Sequence, residues 1–427
     1  MSRSDSQPLG IVAKLMLVLT PLCLFVDPAS DIFLHNVIGF EDERLAYPLS
    51  IILTAVIPFI ILYGGNKVAY RLLLFIALPI ALSVFHAANS GSTEPLLVAI
   101  TWMAPFIWLA GFLSINRAPH DKNVVKWFCI GCIISTSYIL IAGTLEIVIY
   151  GALQDEGRMS TNFVLPGHYQ LYVYMPTMTA FSTIVLLAAL KAKLFSLFKF
   201  DFLIIMILGA VALIYMAARE AMLSYVFALA LIFLAKTKVR LFILSVVIPV
   251  IGTFVVTYIE SIASYAAASE IKSLRKFSQF NEAGQTLGGR DLAVLDYYDV
   301  FKNFPIFGTG FRSPFKNYFG ILTEFPSAHN YYVDTMAWGG IALCVLIFPF
   351  IGYMLYKSIV YFIAALNLDG YYLYYRAIFV CLIITILFTN NINVPFRAPL
   401  LAPLFGFLMY AVFAGGKYVT PEPAVRS

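Results

Sequence analysis

This sequence has few charged residues. Asp, Glu, Lys and Arg make up 12% of its 427 residues, whereas apolar residues make up 61%, and the mean hydropathy is +0.86. Soluble domains carry roughly 25% charged residues, so this chain has too little polar surface for a water-soluble protein. Its net charge is only +5, and no basic tract is interleaved with aromatic residues. A nucleic-acid partner is therefore not expected.

Cysteine is also scarce, and no Cys has the surroundings of a disulfide or a metal ligand. All five lie inside apolar runs: Cys23, Cys129, Cys132, Cys344 and Cys381. The spacing of Cys129 and Cys132 is that of a C-x-x-C motif, but no second pair, His or carboxylate accompanies it. Packing is the favoured interpretation, and we expect neither a metal site nor a cofactor.

What the chain does have is a series of long apolar runs, each close to the ~20 residues that a helix needs to cross a bilayer. The alternating segments of about 10 residues that build a membrane barrel are absent. The predicted fold is therefore all-α, a polytopic membrane bundle of about twelve helices. We place the spans at roughly 10–26, 47–64, 71–87, 95–114, 126–150, 168–190, 201–217, 220–235, 240–260, 331–356, 374–392 and 399–415.

The short loops predict the orientation, because cytoplasmic short loops are enriched in Lys and Arg. One set of loops carries Lys67, Arg71, Arg117, Lys122, Lys126, Lys191, Lys193, Lys199, Lys236, Lys238, Arg240, Lys357, Arg376 and Lys417; the other set carries only Arg44, Arg158, Arg219 and Arg397. Both termini are then cytoplasmic. The chain divides into spans one to nine (1–260), a large outer loop (261–330), spans ten to twelve (331–416) and a cytoplasmic tail (417–427).

Residues 201–235 allow either one very long helix or two short ones. A single helix would place the basic clusters on either side of it at opposite faces of the membrane. A break at Ala218-Arg219-Glu220 restores the charge bias and leaves Arg219 at or slightly below the outer interface. A charged residue at that depth is a functional candidate, because it is costly to place there.

The outer loop is predicted to contain two helices, about 262–280 and 291–303. Gly288-Gly289-Arg290-Asp291 begins the second, so Arg290 stands where free backbone N–H groups favour an anion. A guanidinium there suits phosphate oxygens, although pairing with Asp291 or Asp296 is the simpler reading of the local pattern. Gly308-x-Gly310 indicates a turn.

His329 stands where the chain re-enters the membrane, in Ser327-Ala328-His329-Asn330-Tyr331-Tyr332. An imidazole can accept a proton near neutral pH, but a His at a helix entrance is often only a capping or interfacial residue. Arg219, Arg290 and His329 are all predicted on one side of the membrane. Two cations and a base suit a substrate with a diphosphate leaving group and a hydroxyl nucleophile.

Other polar residues are weaker candidates. Arg312 follows in the same loop, and Glu220 follows Arg219. Arg397 clusters with Asn390, Asn391 and Asn393 at an outer helix end; acceptor contact and helix capping both fit, and capping is favoured. Glu146 lies near the outer end of its apolar run, where we read it as snorkelling to the interface.

At these residues the chain resembles the superfamily of O-antigen ligases and Wzy-type polysaccharide polymerases. The resemblance lies in Arg219 at the start of a membrane helix, Gly289-Arg290, the stretch from Asn303 to Phe311 (NFPIFGTGF), and His329-Asn330-Tyr331-Tyr332 with Gly339-Gly340. It covers about 217–345. One departure is Glu220, where the family has a small residue, and this bears on whether Arg219 is free to bind phosphate.

The resemblance implies a GT-C-like enzyme of the bacterial inner membrane with its large loop in the periplasm. Its donor would be an undecaprenyl-pyrophosphate-linked glycan and its acceptor a lipid-linked repeat unit or lipid A–core, with membrane lipids and a chain-length regulator as further partners. Arg219 and Arg290 would hold the pyrophosphate, and His329 would activate the acceptor hydroxyl. Arg312, Asn330, Glu220 and Arg397 would be secondary site residues, and no metal would be needed.

Within the superfamily, polymerase and ligase differ only in the acceptor. Polymerase is favoured here because the outer loop has no added acceptor domain. A transporter or flippase for lipid-linked sugars is less consistent, since neither internal symmetry nor midplane charges are evident. A metal-dependent transferase would need ligands from the acids of the first outer loop: Asp27, Asp31, Glu41, Asp42 and Glu43.

Overall fold

The structure is a computed structural model, and its regular secondary structure is entirely helical over the residues that it describes. These are 9–32, 48–64, 67–91, 94–151, 153, 171–216, 219–235, 237–244, 290–311, 323, 327–390, 396 and 401–419. The helices are α1 (Ile11–Ile32), α2 (Pro48–Gly64), α3 (Lys67–Ser90), α4 (Glu94–Ser114), α5 (Lys122–Tyr150), α6 (Leu171–Lys191), α7 (Asp201–Met216), α8 (Arg219–Leu234), α9 (Arg290–Asn303), α10 (Tyr331–Ala365), α11 (Tyr371–Ile384), a π-helix (Thr385–Thr389) and α12 (Ala402–Val419).

These helices confirm a polytopic helical membrane protein. Six of them contain stretches long and apolar enough to cross a bilayer, namely α3, α4, α5, α6, α10 and α11 with its π-helical extension. Shorter apolar helices match the other predicted spans, except that the ninth (240–260) lies outside the described residues beyond 244. In the predicted outer loop, α9 confirms the second predicted helix, whereas 262–280 lies outside the described residues.

Two short helices occupy 201–235, as predicted. The Tyr225 hydroxyl donates a hydrogen bond to the Met206 carbonyl at 3.1 Å. In one continuous helix those residues would stand about 28 Å apart, at 1.5 Å per residue. The chain therefore reverses between α7 and α8, and Arg219 is the first residue of α8.

The centre of the bundle is formed by α4, α6, α11 and α12, and α3 lies at its periphery. In the apolar stretch of α6, 89% of residues are buried inside the protein, against 22% in α3. Small residues bring the central helices close together: a Cβ on Gly406 of α12 would lie 2.5 Å from the Trp108 Cβ of α4. Such close approach is the usual basis of helix association in lipid.

The connection from α10 to α11 is fixed by a buried arginine. Arg376 is 2% exposed and donates hydrogen bonds to the carbonyls of Leu366 and Leu368, at 3.2 and 3.4 Å. Those carbonyls lie past the end of α10. This residue, counted as a loop charge in the sequence, therefore also holds a helix hairpin together. The α10–α11 connection lies at the end of the bundle where α5 begins, and we call this the Arg117 end. We call the end where α10 begins the His329 end.

Candidate functional site

Backbone hydrogen bonds on both sides of a break in α10 hold the segment 305–311 against this helix. Gly340 has φ 61° and ψ −163°, which interrupts the helix. The carbonyls of Ala337 and Trp338 accept hydrogen bonds from the N–H groups of Thr309 and Phe311, at 2.9 and 3.0 Å. The N–H groups released beyond the break, at Ile341 and Ala342, donate to the carbonyls of Pro305 and Ile306 at 2.8 and 3.0 Å.

These four hydrogen bonds, which we call the clamp, satisfy backbone groups that a broken membrane helix would otherwise leave unpaired. An unpaired backbone group in hydrocarbon costs several kcal/mol. The clamp therefore joins two motifs that are separate in the sequence, the stretch ending in Gly308-Thr309-Gly310-Phe311 and the pair Gly339-Gly340.

Two glycines make the clamp possible. Gly308 has φ 57°, and a Cβ there would lie 2.5 Å from the Ala337 carbonyl oxygen. A Cβ on Gly340 would lie 2.4 Å from the Ile306 carbonyl oxygen. Both positions require a positive φ and a close approach of two backbones, which only glycine provides. The predicted Gly308-x-Gly310 turn is confirmed, with positive φ at both glycines.

His329 is half-buried immediately before α10 and has φ 52°. His is one of the non-glycine residues that enter this left-handed region more readily than most. Its N–H donates to the Ser327 hydroxyl oxygen at 3.0 Å, and that hydroxyl donates in turn to Asp334 Oδ2 at 2.7 Å. The backbone at His329 is thus held by a side chain one turn into the helix.

Asp334 is a residue that the sequence analysis missed. Its carboxylate is fully buried, and Oδ1 also accepts the Ala328 N–H at 2.8 Å. Hydrogen bonds from two donors and the N-terminal end of a helix dipole stabilise a carboxylate there. An acidic residue in the first turn of a long apolar helix, five positions after His329, was the signal available in the sequence.

Asn330 caps α10. Its side-chain oxygen accepts the N–H groups of Tyr332 and Val333 at 3.0 and 3.2 Å. N-capping by Asn satisfies donors that the first helical turn leaves free. The structure thus gives Asn330 a structural role at the site; contact with substrate stays a prediction.

Arg290 is the first residue of α9, a helix that packs on α10. The buried face of α9 consists of Ala293, Tyr297 and Val300. Leu292 and Leu295 stand on the opposite face, 59% and 60% exposed. An exposed apolar ridge on a short helix is typical of a segment that lies in the membrane interface.

Near the start of α8, the structure places a buried carboxylate. Glu146 on α5 is 0% exposed, so our reading of it as a snorkelling residue is wrong. One turn earlier, a Cβ on Gly143 would lie 2.3 Å from the Tyr215 ring, and Tyr215 is four residues before Arg219. Glu146 therefore faces the protein close to the α7–α8 turn, where a buried carboxylate needs a cationic or hydrogen-bonding partner.

The structure describes the other predicted site residues only in part or not at all. Arg219, Glu220 and Arg290 are described by their backbones alone, so whether their side chains meet His329 stays a prediction. Arg312 and Arg397 lie outside the described residues.

A metal-dependent transferase was one of the alternatives open from the sequence. Over the part of the chain that the structure describes, no three His, Cys, Asp or Glu side chains come together as ligands. The side chains of the five acids of the first outer loop are not among those described.

Next to the start of α10 lies a π-helix, Thr385–Thr389, which continues α11. Tyr332 donates its hydroxyl proton to the Ile386 carbonyl inside this π-helix at 2.6 Å. Asn390 follows and is fully buried. It is the C-cap residue of the π-helix, and its backbone N–H donates to the Thr385 carbonyl. The capping interpretation is therefore confirmed for Asn390, through its backbone. π-Helical turns occur frequently at functional sites.

A family model described as O-Antigen ligase matches residues 204–348, about a third of the chain. No curated protein matches the chain. The matched segment contains the α7–α8 turn, α9, the clamp and the first half of α10, and with them every predicted site residue except Arg397. Over this segment the chain therefore carries an O-antigen ligase family domain, and the resemblance to the superfamily of O-antigen ligases and Wzy-type polymerases is confirmed.

Proposed function

We propose that the protein is a bacterial surface-polysaccharide polymerase that acts on the periplasmic side of the inner membrane. It transfers an undecaprenyl-pyrophosphate-linked glycan to a hydroxyl of a lipid-linked repeat unit. The family domain supports a membrane glycosyltransferase of the ligase and polymerase type, and the finer assignment is ours.

The clamp is the observation that carries the proposal. It ties the segment that follows α9 to the helix that follows His329, so that a helix beginning with Arg290 and a potential base belong to one rigid unit. Rigid placement of charged groups is what stabilises a developing diphosphate leaving group. The exposed apolar ridge of α9 suits contact with the lipid that carries the donor.

In the proposed mechanism, Arg219 and Arg290 bind the pyrophosphate oxygens and stabilise the negative charge that grows as the glycosidic bond to phosphate breaks. His329 accepts the proton of the acceptor hydroxyl as that oxygen bonds to the sugar carbon. Asp334 acts through Ser327 on the backbone of His329 and is a positioning residue.

A ligase is the second candidate, because the matching family model is described as O-Antigen ligase. Deletion of the protein separates the alternatives through the lipid-linked pool. Accumulated single repeats at the outer face indicate a lost polymerase, and accumulated long chains indicate a lost ligase. Repeats retained at the cytoplasmic face would indicate a flippase and contradict both proposals.

The site is tested by complementing the deletion with single variants. We expect Arg219→Ala, Arg290→Ala and His329→Asn each to abolish polysaccharide while the protein still inserts. Asn also adopts positive φ readily, so this change removes the imidazole with little strain at position 329. Lys302→Ala is the matched control, because Lys302 is an exposed cation near the other end of α9 that pairs with Asp299 at 2.7 Å. Normal polysaccharide in the His329 and Arg290 variants would refute the enzymatic proposal.

A further inference from the structure

The first part of α10, residues 331–339, is a half-helix that folds back on the rest. Gly340 has non-helical φ and ψ, so 331–339 and 341–365 are two helices joined at this break. The ring centroids of Tyr332 and Phe348 lie 5.6 Å apart across it. In one straight helix those two residues would stand about 24 Å apart, which two ring side chains cannot bridge. The half-helix therefore packs along the second half of α10.

This arrangement places the beginning of the half-helix far from the clamp. From Gly340 to Phe348 the second half of α10 extends about 12 Å, at 1.5 Å per residue. Tyr332 packs beside Phe348, whereas the other end of the half-helix, at 337–339, belongs to the clamp. His329 comes just before the half-helix and therefore lies at the end that is remote from the clamp.

Trp102 of α4 shows that this position is inside the membrane. Its ring lies 5.1 Å from the Tyr331 ring and 6.4 Å from the Trp338 ring, two residues on one face of the half-helix. Trp102 is 0% exposed and belongs to the membrane-spanning stretch Pro95–Ser114. It lies about 10 Å along that stretch from its first residue. His329 therefore lies deeper than the membrane entrance at which the sequence placed it.

The chain that leads into the half-helix is suited to this depth. Irregular backbone inside a membrane is tolerated only where protein or a water-filled cavity surrounds it. Ser327 and Ala328 are 6% and 1% exposed, and both donate hydrogen bonds to the Asp334 carboxylate. Broken helices of this kind form binding sites within membrane proteins, and an ionisable residue such as His329 at that depth is a functional candidate.

We propose that residues 331–339 are a re-entrant half-helix, packed on Trp102, that fixes His329 below the membrane surface. The acceptor hydroxyl then reacts within the membrane-spanning region, and the acceptor glycan reaches it from the aqueous side. Trp102 touches no reacting atom and is a positioning residue. It lies outside the segment 204–348 that the family model matches. This inference rests on the proposed function, since it assumes that His329 is the base.

The first measurement locates position 329 in the bilayer. His329→Cys, in a chain whose five native cysteines are replaced by alanine, is labelled with a small fluorophore. The protein is reconstituted into vesicles whose phospholipids carry a nitroxide quencher either on the head group or midway along the acyl chain. We expect the mid-chain quencher to be the more effective one. Stronger quenching from the head group would overturn the re-entrant placement.

Lys302→Cys is the control for the depth measurement. Lys302 is 57% exposed on α9, the helix whose apolar ridge is typical of the membrane interface. The same fluorophore at this position should be quenched more strongly from the head group.

The second measurement tests Trp102. In Trp102→Leu the half-helix loses the ring on which it packs, and turnover should fall about tenfold or more, because small displacements of a reacting group are costly. The fall should appear in kcat with the KM for the donor unchanged, because the change does not touch the arginines proposed to bind the diphosphate. Trp102→Phe keeps a ring between Tyr331 and Trp338 and should recover most of the turnover. Trp338→Leu removes the same contact from the other side, and it replaces Trp102→Leu if that protein does not fold.

Trp108→Leu is the matched control for Trp102→Leu. Trp108 lies on the same helix, is 1% exposed and packs 5.9 Å from the Phe112 ring. Both leucine variants lose a buried indole, so their melting temperatures should fall by similar amounts. Only Trp102→Leu should lose turnover per folded molecule. The substrate in these assays is lipid-linked oligosaccharide extracted from cells that lack the protein.

The outcomes separate the two proposals. Equal turnover by the Trp102→Leu and Trp108→Leu proteins overturns the role of Trp102, and an inactive His329→Asn protein in the same assay leaves the proposed function intact. Turnover by the His329→Asn protein overturns the proposed function and this inference with it, whatever depth is measured for position 329.

Discussion

At the Arg117 end, aromatic rings from three helices pack on one another, whereas at the His329 end the backbone is bent out of regular helical geometry. The Phe128 and Phe407 rings stack at 4.4 Å and 13°, and Phe112 lies 5.5 Å from Phe407 and 6.0 Å from Tyr410. At this end the non-glycine residues with positive φ, Asn116 and Lys193, each follow the end of a helix, where a left-handed residue is common.

The His329 end contains a different kind of strain. Phe311 and His329 have positive φ without following a helix, and Gly340 breaks a membrane helix. A π-helix, Thr385–Thr389, lies beside them. Sparsely populated backbone conformations cost about 1–3 kcal/mol each and persist only when surrounding structure enforces them. The comparison indicates that packing at the Arg117 end offsets strain that serves the site at the other end.

The largest expected effect comes from breaking the clamp. In Gly340→Ala, the new Cβ would overlap the Ile306 carbonyl oxygen at 2.4 Å, at a residue with φ 61°. We expect destabilisation of about 3 kcal/mol or more and loss of polysaccharide synthesis. Thermal unfolding of the purified protein in detergent measures the first, and complementation of the deletion measures the second.

Gly352→Ala is the control for that change. Gly352 lies in the same helix, and a Cβ there would meet nothing within 4 Å. Alanine is the better helix former by about 1 kcal/mol, so this variant should be as stable as the parent or more so. Equal melting temperatures for both variants would show that the clamp does not constrain the helix.

The second prediction tests whether the Arg117 end serves stability alone. Phe128→Ala leaves a cavity beside Phe407, and we expect a loss of about 2 kcal/mol. The cavity cost remains in a membrane protein, but the apolar transfer term is smaller because lipid is also apolar. Turnover per folded molecule should stay unchanged. A fall in turnover without a fall in melting temperature would mean that this end takes part in the reaction.

The sequence predicted the membrane helices far better than the site. Span positions depend on apolar length, which is a local property, and the reversal at Arg219 followed from loop charge. The clamp could not be derived, because it joins the backbones of residues 305–311 and 337–342 through space. Asp334 was missed because its partners, Ser327 and Ala328, are recognisable only once the chain has turned into α10.

A third prediction addresses Asp334 itself. Asp334→Asn keeps the size of the side chain but leaves one oxygen where two accept hydrogen bonds. We expect a stability loss of about 1–2 kcal/mol and a larger fall in activity, because the Ser327 hydroxyl that accepts the His329 N–H is no longer fixed. Asp299→Asn, which removes a 66% exposed carboxylate on α9, should change neither quantity. If activity falls only in proportion to the amount of folded protein, Asp334 has a structural role alone.

The smallest effect is expected at Tyr332, whose hydroxyl donates one hydrogen bond from the first turn of α10 to the π-helix. Tyr332→Phe keeps the ring and its 5.6 Å contact with Phe348 but leaves the Ile386 carbonyl in the π-helix without its donor. Interhelical hydrogen bonds in membranes average about 0.6 kcal/mol, so the melting temperature should barely move. Turnover per folded molecule should fall by no more than about threefold, the factor that corresponds to that energy. A larger fall in turnover at an unchanged melting temperature would show that the Tyr332 hydroxyl takes part in the reaction.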